Sequence, residues 1–163
     1  MKTNYHTHTH RCGHAEPGER RYIEAALKEG FRVFGFADHV PQPYTDFRSG
    51  MRMQPEETAD YVNTLVSLKE EFRGEIDIHI GFEAEYFPTL FGDLLRMLEP
   101  YPYEYLILGQ HFLDHEKGGT YVARPCESEA GLVHFVDQCA EALHTGAFSC
   151  FVHPDIFHFV GDE

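Results

Sequence analysis

Short apolar or alternating runs take turns along this chain with longer stretches whose apolar positions recur at helical spacing. A strand is expected over 3–8 and a helix over 19–29, with Pro17 ahead of it and Gly30 as its stop. A short buried strand over 33–37 follows. Pro55 then suits the first turn of a long helix ending at Phe72, and Glu56 and Glu57 suit that helix's positive end. Over 76–82 the alternation is regular: Ile76, Ile78, Ile80 and Phe82 are expected to face outer helices, while Asp77, His79, Gly81 and Glu83 share the other face. A helix over 90–98 capped by Thr89, a strand over 105–109, a helix over 129–144 stopped by Gly146 and a strand over 148–152 complete the order. Strand-then-helix repetition predicts an α/β domain. Its long loops, 40–54 and 113–125, are where substrate contacts are expected.

The polar residues add the chemistry. Where each strand-like run gives way to a loop stands a metal-type ligand: His6 and His8, His39 after Asp38, Glu83, His111, and His153. In a parallel barrel the strands' carboxyl ends form one rim, so ligands distant in sequence converge there. His6 and His8, two apart on a strand, project to one side and can grip one ion together. His10 keeps that parity but lies past the strand end, and His14 has to return over the rim through Gly13, to serve a second ion. A purification tag would be an unbroken run of histidines, and this stretch alternates. Asp38 is expected either to orient a ligand imidazole or to act as a cap. Of the two carboxylates ending the third strand, Glu83 is the better candidate to bridge two ions, and Glu85 is expected to support from behind. His79, His115, His134, His144 and His158 are expected to be structural or solvated. Imidazole with carboxylate suits zinc, manganese and iron alike.

Size and charge narrow the class. The 163 residues, 42% hydrophobic, make one domain over 1–163 with a real core. Twenty-seven acidic against 13 basic residues leave a net charge of −14, which disfavours a nucleic-acid partner. Four cysteines lack CxxC spacing, and there is no secretory signal or long apolar span; a reducing cytoplasm and no membrane partner are expected.

Taken together and in order, His6-Thr7-His8 with His14, Ala37-Asp38-His39, Gly81-Phe82-Glu83, His111 and His153-Pro154-Asp155 resemble the polymerase and histidinol phosphatase (PHP) family, most closely its histidinol-phosphate phosphatase branch. The resemblance implies a distorted seven-stranded (β/α) barrel with two to three divalent ions (Zn, Mn or Fe) at the strands' carboxyl ends. It implies that His6 and His8 hold one ion, that Glu83 bridges it to a second on His111 and His153, and that His14 and His39 hold a third. Family members carry a later Asp-x-His pair that this sequence lacks, so an incomplete barrel of about five βα units is expected, cut short on its C-terminal side. Unpaired barrel edges are then expected to favour homo-oligomers, and the incomplete ligand set a weak phosphatase.

The implied activity is metal-assisted hydrolysis of a small phosphorylated metabolite, histidinol phosphate, to L-histidinol and phosphate in histidine biosynthesis. Glu83 is the expected catalytic carboxylate, with Asp38 or Asp155 as candidate acids for the leaving group. Arginines in rim segments are Arg11, Arg48, Arg52 and Arg124, and a guanidinium grips two phosphate oxygens at once; Arg52 is the first candidate for substrate phosphate, then Arg11 and Arg48. The rival readings are a nucleotide or oligonucleotide phosphoesterase of the same family and a metal-binding module without catalysis.

Overall fold

The computed structural model describes residues 1–16 and 18–161, so the expectation at Pro17 lies outside the described residues. Five strands, β1 (Lys2–Asn4), β2 (Phe31–His39), β3 (Asp77–Ala84), β4 (Tyr105–Leu108) and β5 (Cys150–Phe151), form one sheet in sequence order. Every neighbouring pair is parallel. The crossovers are α1 (Glu19–Lys28), α2 (Thr58–Glu71), α3 (Phe91–Leu98) and α4 (Glu129–His144). This is the α/β order that the periodicity predicts, in an incomplete barrel of five strands.

The outer layer follows from alternation on β3. Ile78, Ile80 and Phe82 are buried against Tyr61, Val62 and Leu65 of α2. Each such side chain removed from water contributes about 1.5–3 kcal/mol. A second cluster beneath α4 gathers Leu108, Leu113, Val122, Phe135, Cys139 and Phe157.

The sheet is strongly curled. With strands about 4.8 Å apart, the ends of β1 and β5 would lie about 19 Å apart in a flat sheet. Yet the rings of His6, just past β1, and His153, just past β5, are 5.8 Å apart. Tyr105 helps set that curl from inside: its hydroxyl donates to the carbonyls of Tyr5 (2.8 Å) and Phe36 (3.0 Å). Its ring crosses β3 over Gly81, where an added Cβ would come within 2.5 Å of it.

Several element boundaries differ from expectation; β2 is longer than 33–37 and β5 shorter than 148–152. β1 ends at Asn4, so His6 and His8 lie beyond its ladder, although Ala37 N still donates to Thr7 O at 3.0 Å and keeps that segment beside β2. Pro55 opens a single 3-10 turn, Pro55–Glu57, before α2 begins. Thr89 does not cap α3; the first turn is closed by the Phe87 carbonyl, which accepts from Leu90 N and Phe91 N, both at 2.9 Å.

Candidate metal centre

Glu83 reaches the rim from the second-last position of β3 and is fully buried. Its two oxygens face different histidines. Oε2 lies 3.0 Å from His8 Nε2, 3.2 Å from His6 Nε2 and 3.3 Å from His39 Nδ1. Oε1 lies 2.7 Å from His153 Nε2 and 3.7 Å from His111 Nε2. His6 and His8 bring their Nε2 atoms to 2.9 Å of each other. Two nitrogens on one tetrahedral zinc, at bonds of about 2.0–2.1 Å, stand about 3.3 Å apart. The observed separations, at 2.9–3.3 Å, lie at or somewhat below that spacing and bring the donors close enough to converge on one ion.

The histidines arrive from four loops. His6 and His8 sit on an extended segment whose alternation survives the end of β1, and His39 ends β2 directly opposite Glu83 in register. His14 returns over the rim through Gly13, whose φ of 74° lies in the left-handed region. Its ring is 4.8 Å from that of His39 and 5.6 Å from that of His8. His153 adopts a φ of 36°, a strained backbone for a residue with a side chain, and strain of this kind is concentrated at functional sites.

Four overlapping donor groups result, each with atoms within 4.8 Å: His6, His8 and Glu83; Glu83, His111 and His153; His39, Glu85 and His111; and His8, Cys12 and His14. Two buried ring nitrogens, His39 Nδ1 and His153 Nδ1, have no hydrogen-bond partner among the described residues. The His39 lone pair beside Glu83 Oε2 fits a divalent cation, whereas His153 presents its other nitrogen, Nε2, to that carboxylate.

Electrostatics agree. Burial alone would raise the Glu83 carboxyl, but hydrogen bonds from His153, His6 and His8 outweigh it and hold it well below the usual carboxylate range. Burial pushes the His39 imidazole down to about 3, and burial with neighbouring His8 lowers His14; both therefore stay neutral, the form that ligates. His111 is shifted up: its burial is outweighed by the hydrogen bond and charge of Glu85.

Several expected roles are reassigned. Asp38 is fully buried but orients no imidazole; both its oxygens accept from Thr9, from N at 2.7 Å and from Oγ1 at 2.8 Å, which makes it a cap on the histidine-bearing loop. Asp155 is exposed and does not line the cleft. Arg52 is no surface phosphate grip. It is 4% exposed, and its guanidinium donates to Glu85, Glu116 and the Val40 carbonyl. Arg11 is held by Glu19, Asp60 and Thr64, and exposed Arg48 pairs with Glu56. His10 is exposed in a 3-10 turn, while His79 pairs with Asp77 and Glu104, and His134 with Asp114.

One close neighbour of the ligand set had no sequence signal. Cys12 Sγ lies 3.3 Å from Nδ1 of both His8 and His14. Burial and nearby Asp38 push its thiol up to about 12, so it stays protonated at neutral pH. Met51, Tyr121 and Ile156 complete the wall of a cleft of about 320 Å³ around the histidines.

Comparison with known proteins gives the same picture. The PHP domain model matches residues 4–160. A histidinol-phosphatase of Bacillus subtilis is 34% identical over 120 residues, covering 69% of this chain and 45% of that protein. The chain thus spans less than half the length of that relative. A crystal structure of histidinol phosphate phosphatase from Lactococcus lactis, complexed with zinc, L-histidinol and phosphate, superposes with a TM-score of 0.73 at 22% identity. That likeness covers 99% of this chain and 61% of the other, and it shows a common fold.

Proposed function

This chain belongs to the PHP domain family, and from that premise we propose that it serves metal-dependent hydrolysis of a phosphomonoester, histidinol phosphate, releasing L-histidinol and phosphate. The observation that carries the reading is the division of Glu83, one oxygen toward His6 and His8 and the other toward His111 and His153. In this reading His6 and His8 hold one ion, His111 and His153 a second, and Glu83 both, with His14 and His39 available to a third. Zinc, manganese and iron all suit the donors. When bound, such ions supply Lewis-acid stabilisation of charge on the phosphoryl oxygens and lower the pKa of the attacking water.

The chain's own residues do the rest. Glu83 remains ionised and fixed among five imidazoles, so its two oxygens would hold a cation on each side. Neutral His39 and His14 add donors without adding positive charge. Asp38 keeps the loop carrying His8 and Cys12 in place through Thr9. A cleft of about 320 Å³, walled by Met51, Tyr121 and Ile156, suits a small ester, and a net charge of −14 disfavours a polyanionic polymer. Four free cysteines fit a reducing cytoplasm, and among the described residues no helix is long and apolar enough to cross a membrane.

The test is to strip the protein of metal, restore zinc, manganese or iron, and follow phosphate release from histidinol phosphate, a nucleoside monophosphate and an aryl phosphate. Preference for histidinol phosphate is expected. Metal retention without phosphate release from any of the three overturns the hydrolase reading in favour of a metal-binding module.

A further inference from the structure

Behind the histidines lies a buried cluster in which one cation meets two carboxylates. Arg52 Nη1 and Nη2 grip Glu85 Oε2 and Oε1 at 2.7 and 2.9 Å, in the two-pronged geometry only a guanidinium offers. Its Nε donates to Glu116 Oε2 at 2.9 Å, and Nη1 also donates to the Val40 carbonyl at 3.1 Å. Arg52, Glu85 and Glu116 are 4%, 1% and 9% exposed. The farther end of the cluster is held too, since Ser49 Oγ donates to Glu116 Oε1 and the Tyr44 hydroxyl to Oε2 at 3.3 Å. One guanidinium therefore fastens loop 40–54 to loop 113–125 and to the end of β3.

The end nearest the cleft is what gives this cluster a role. Glu85 Oε1, held by Arg52 Nη2, also lies 3.1 Å from His111 Nδ1. An ionised carboxylate only accepts, so the neutral imidazole carries its one proton on Nδ1, where the contact with Glu85 is 3.1 Å, and leaves bare Nε2, which is 3.7 Å from Glu83 Oε1 and beyond hydrogen-bond reach. We propose that Arg52 is a positioning residue of the centre: its grip on both oxygens of Glu85 fixes the tautomer and ring direction of His111, and so presents the Nε2 lone pair to the cleft. Lysine keeps the charge but offers no fork, so the charge alone does not fill this role.

The inference rests on His111 as a metal ligand, and its first readout needs no metal. In the metal-free full chain labelled with 15N, long-range 1H–15N spectra, with His111 assigned by its loss in H111Q, report which ring nitrogen is protonated. Nδ1 protonated and Nε2 bare is expected; the opposite tautomer in the parent protein overturns the proposal whatever the variants do. Arg52→Lys, checked for folding by circular dichroism, should lose that preference and bind zinc about 10–100-fold more weakly in a chelator competition. Glu116→Gln, which leaves the Arg52–Glu85 grip in place, should keep the parent's tautomer. A folded R52K with the parent's tautomer and zinc affinity overturns the proposal alone. A parent that binds no zinc overturns the metal reading and this inference with it.

Discussion

Gly109 and Glu83 occupy one space: a Cβ built on Gly109 would stand 1.9 Å from Glu83 Oε1 and 2.6 Å from its carboxyl carbon. The carboxylate that faces two sets of histidines reaches its position because the residue just past the end of β4 has no side chain. Gly109→Ala is therefore expected to displace Glu83 and weaken zinc binding at least about 10-fold, as read by competition with a chelating dye. An alanine variant with unchanged affinity means that Glu83 is not the shared ligand.

Removing the charge of Glu83 and removing one histidine should differ in stoichiometry. Glu83→Gln keeps the shape but loses the anion facing both donor pairs, so elemental analysis should find both ions depleted. His153→Ala should deplete one and leave the ion on His6 and His8. Turnover should fall at least about 100-fold in either variant, since the paired ions act together. Equal ion content in the two variants would contradict the division of Glu83 between them.

Acidification should destabilise the metal-free protein partly through His39. Its folded-state value, pushed by burial to about 3, lies below its ordinary 6.5. Above pH 6.5 neither state is protonated and the group contributes no pH dependence. As pH falls below 6.5 the unfolded chain takes up a proton that the folded chain refuses, so stability falls. Between pH 7.5 and 5.5 this amounts to about 1.4 kcal/mol. Urea unfolding of the parent and His39→Gln at both pH values isolates the effect, and identical pH slopes would show that His39 is protonated as readily in the fold as out of it.

Tyr105→Phe removes one hydroxyl whose single proton is shared between two carbonyls, those of Tyr5 and Phe36. A loss of about 1–3 kcal/mol in urea unfolding is expected. A variant as stable as the parent means that these carbonyls find other partners.

Much of this could be read from the chain because its signals are local. An apolar run followed within three residues by an imidazole or carboxylate announces a strand end with a polar donor, and His39, Glu83, His111 and His153 all stand at such ends and converge. The reassigned residues depend on partners far along the chain. Arg52 meets Glu116 across 64 positions and Glu85 across 33, so no spacing near Arg52 separates a buried clamp from a surface grip. Asp38 meets Thr9 across 29 positions, and nothing adjacent tells whether a carboxylate at a strand end turns to an imidazole or to a loop amide. Thr89 looks like a cap because threonine often is one, but the Phe87 carbonyl closes that turn first. Cys12 has no CxxC partner in the sequence, and only the fold sets it beside His8 and His14.

The pairing of His39 opposite Glu83 on β2 and β3 ties ion binding to strand alignment. Side chains alternate along a strand, so a slip of one residue between these strands would send one of the two donors to the helix-packed side. In the proposed centre His39 and Glu83 serve neighbouring ions, so filling all of the sites would require a single alignment out of the several that two apolar parallel strands can sample. Because binding stabilises only the form that binds, by an amount that grows with the logarithm of ion concentration, a metal held as proposed would act as a proofreader of the sheet. Refolding in the presence of zinc should then yield a more homogeneous population than refolding with a chelator, even before any substrate is offered.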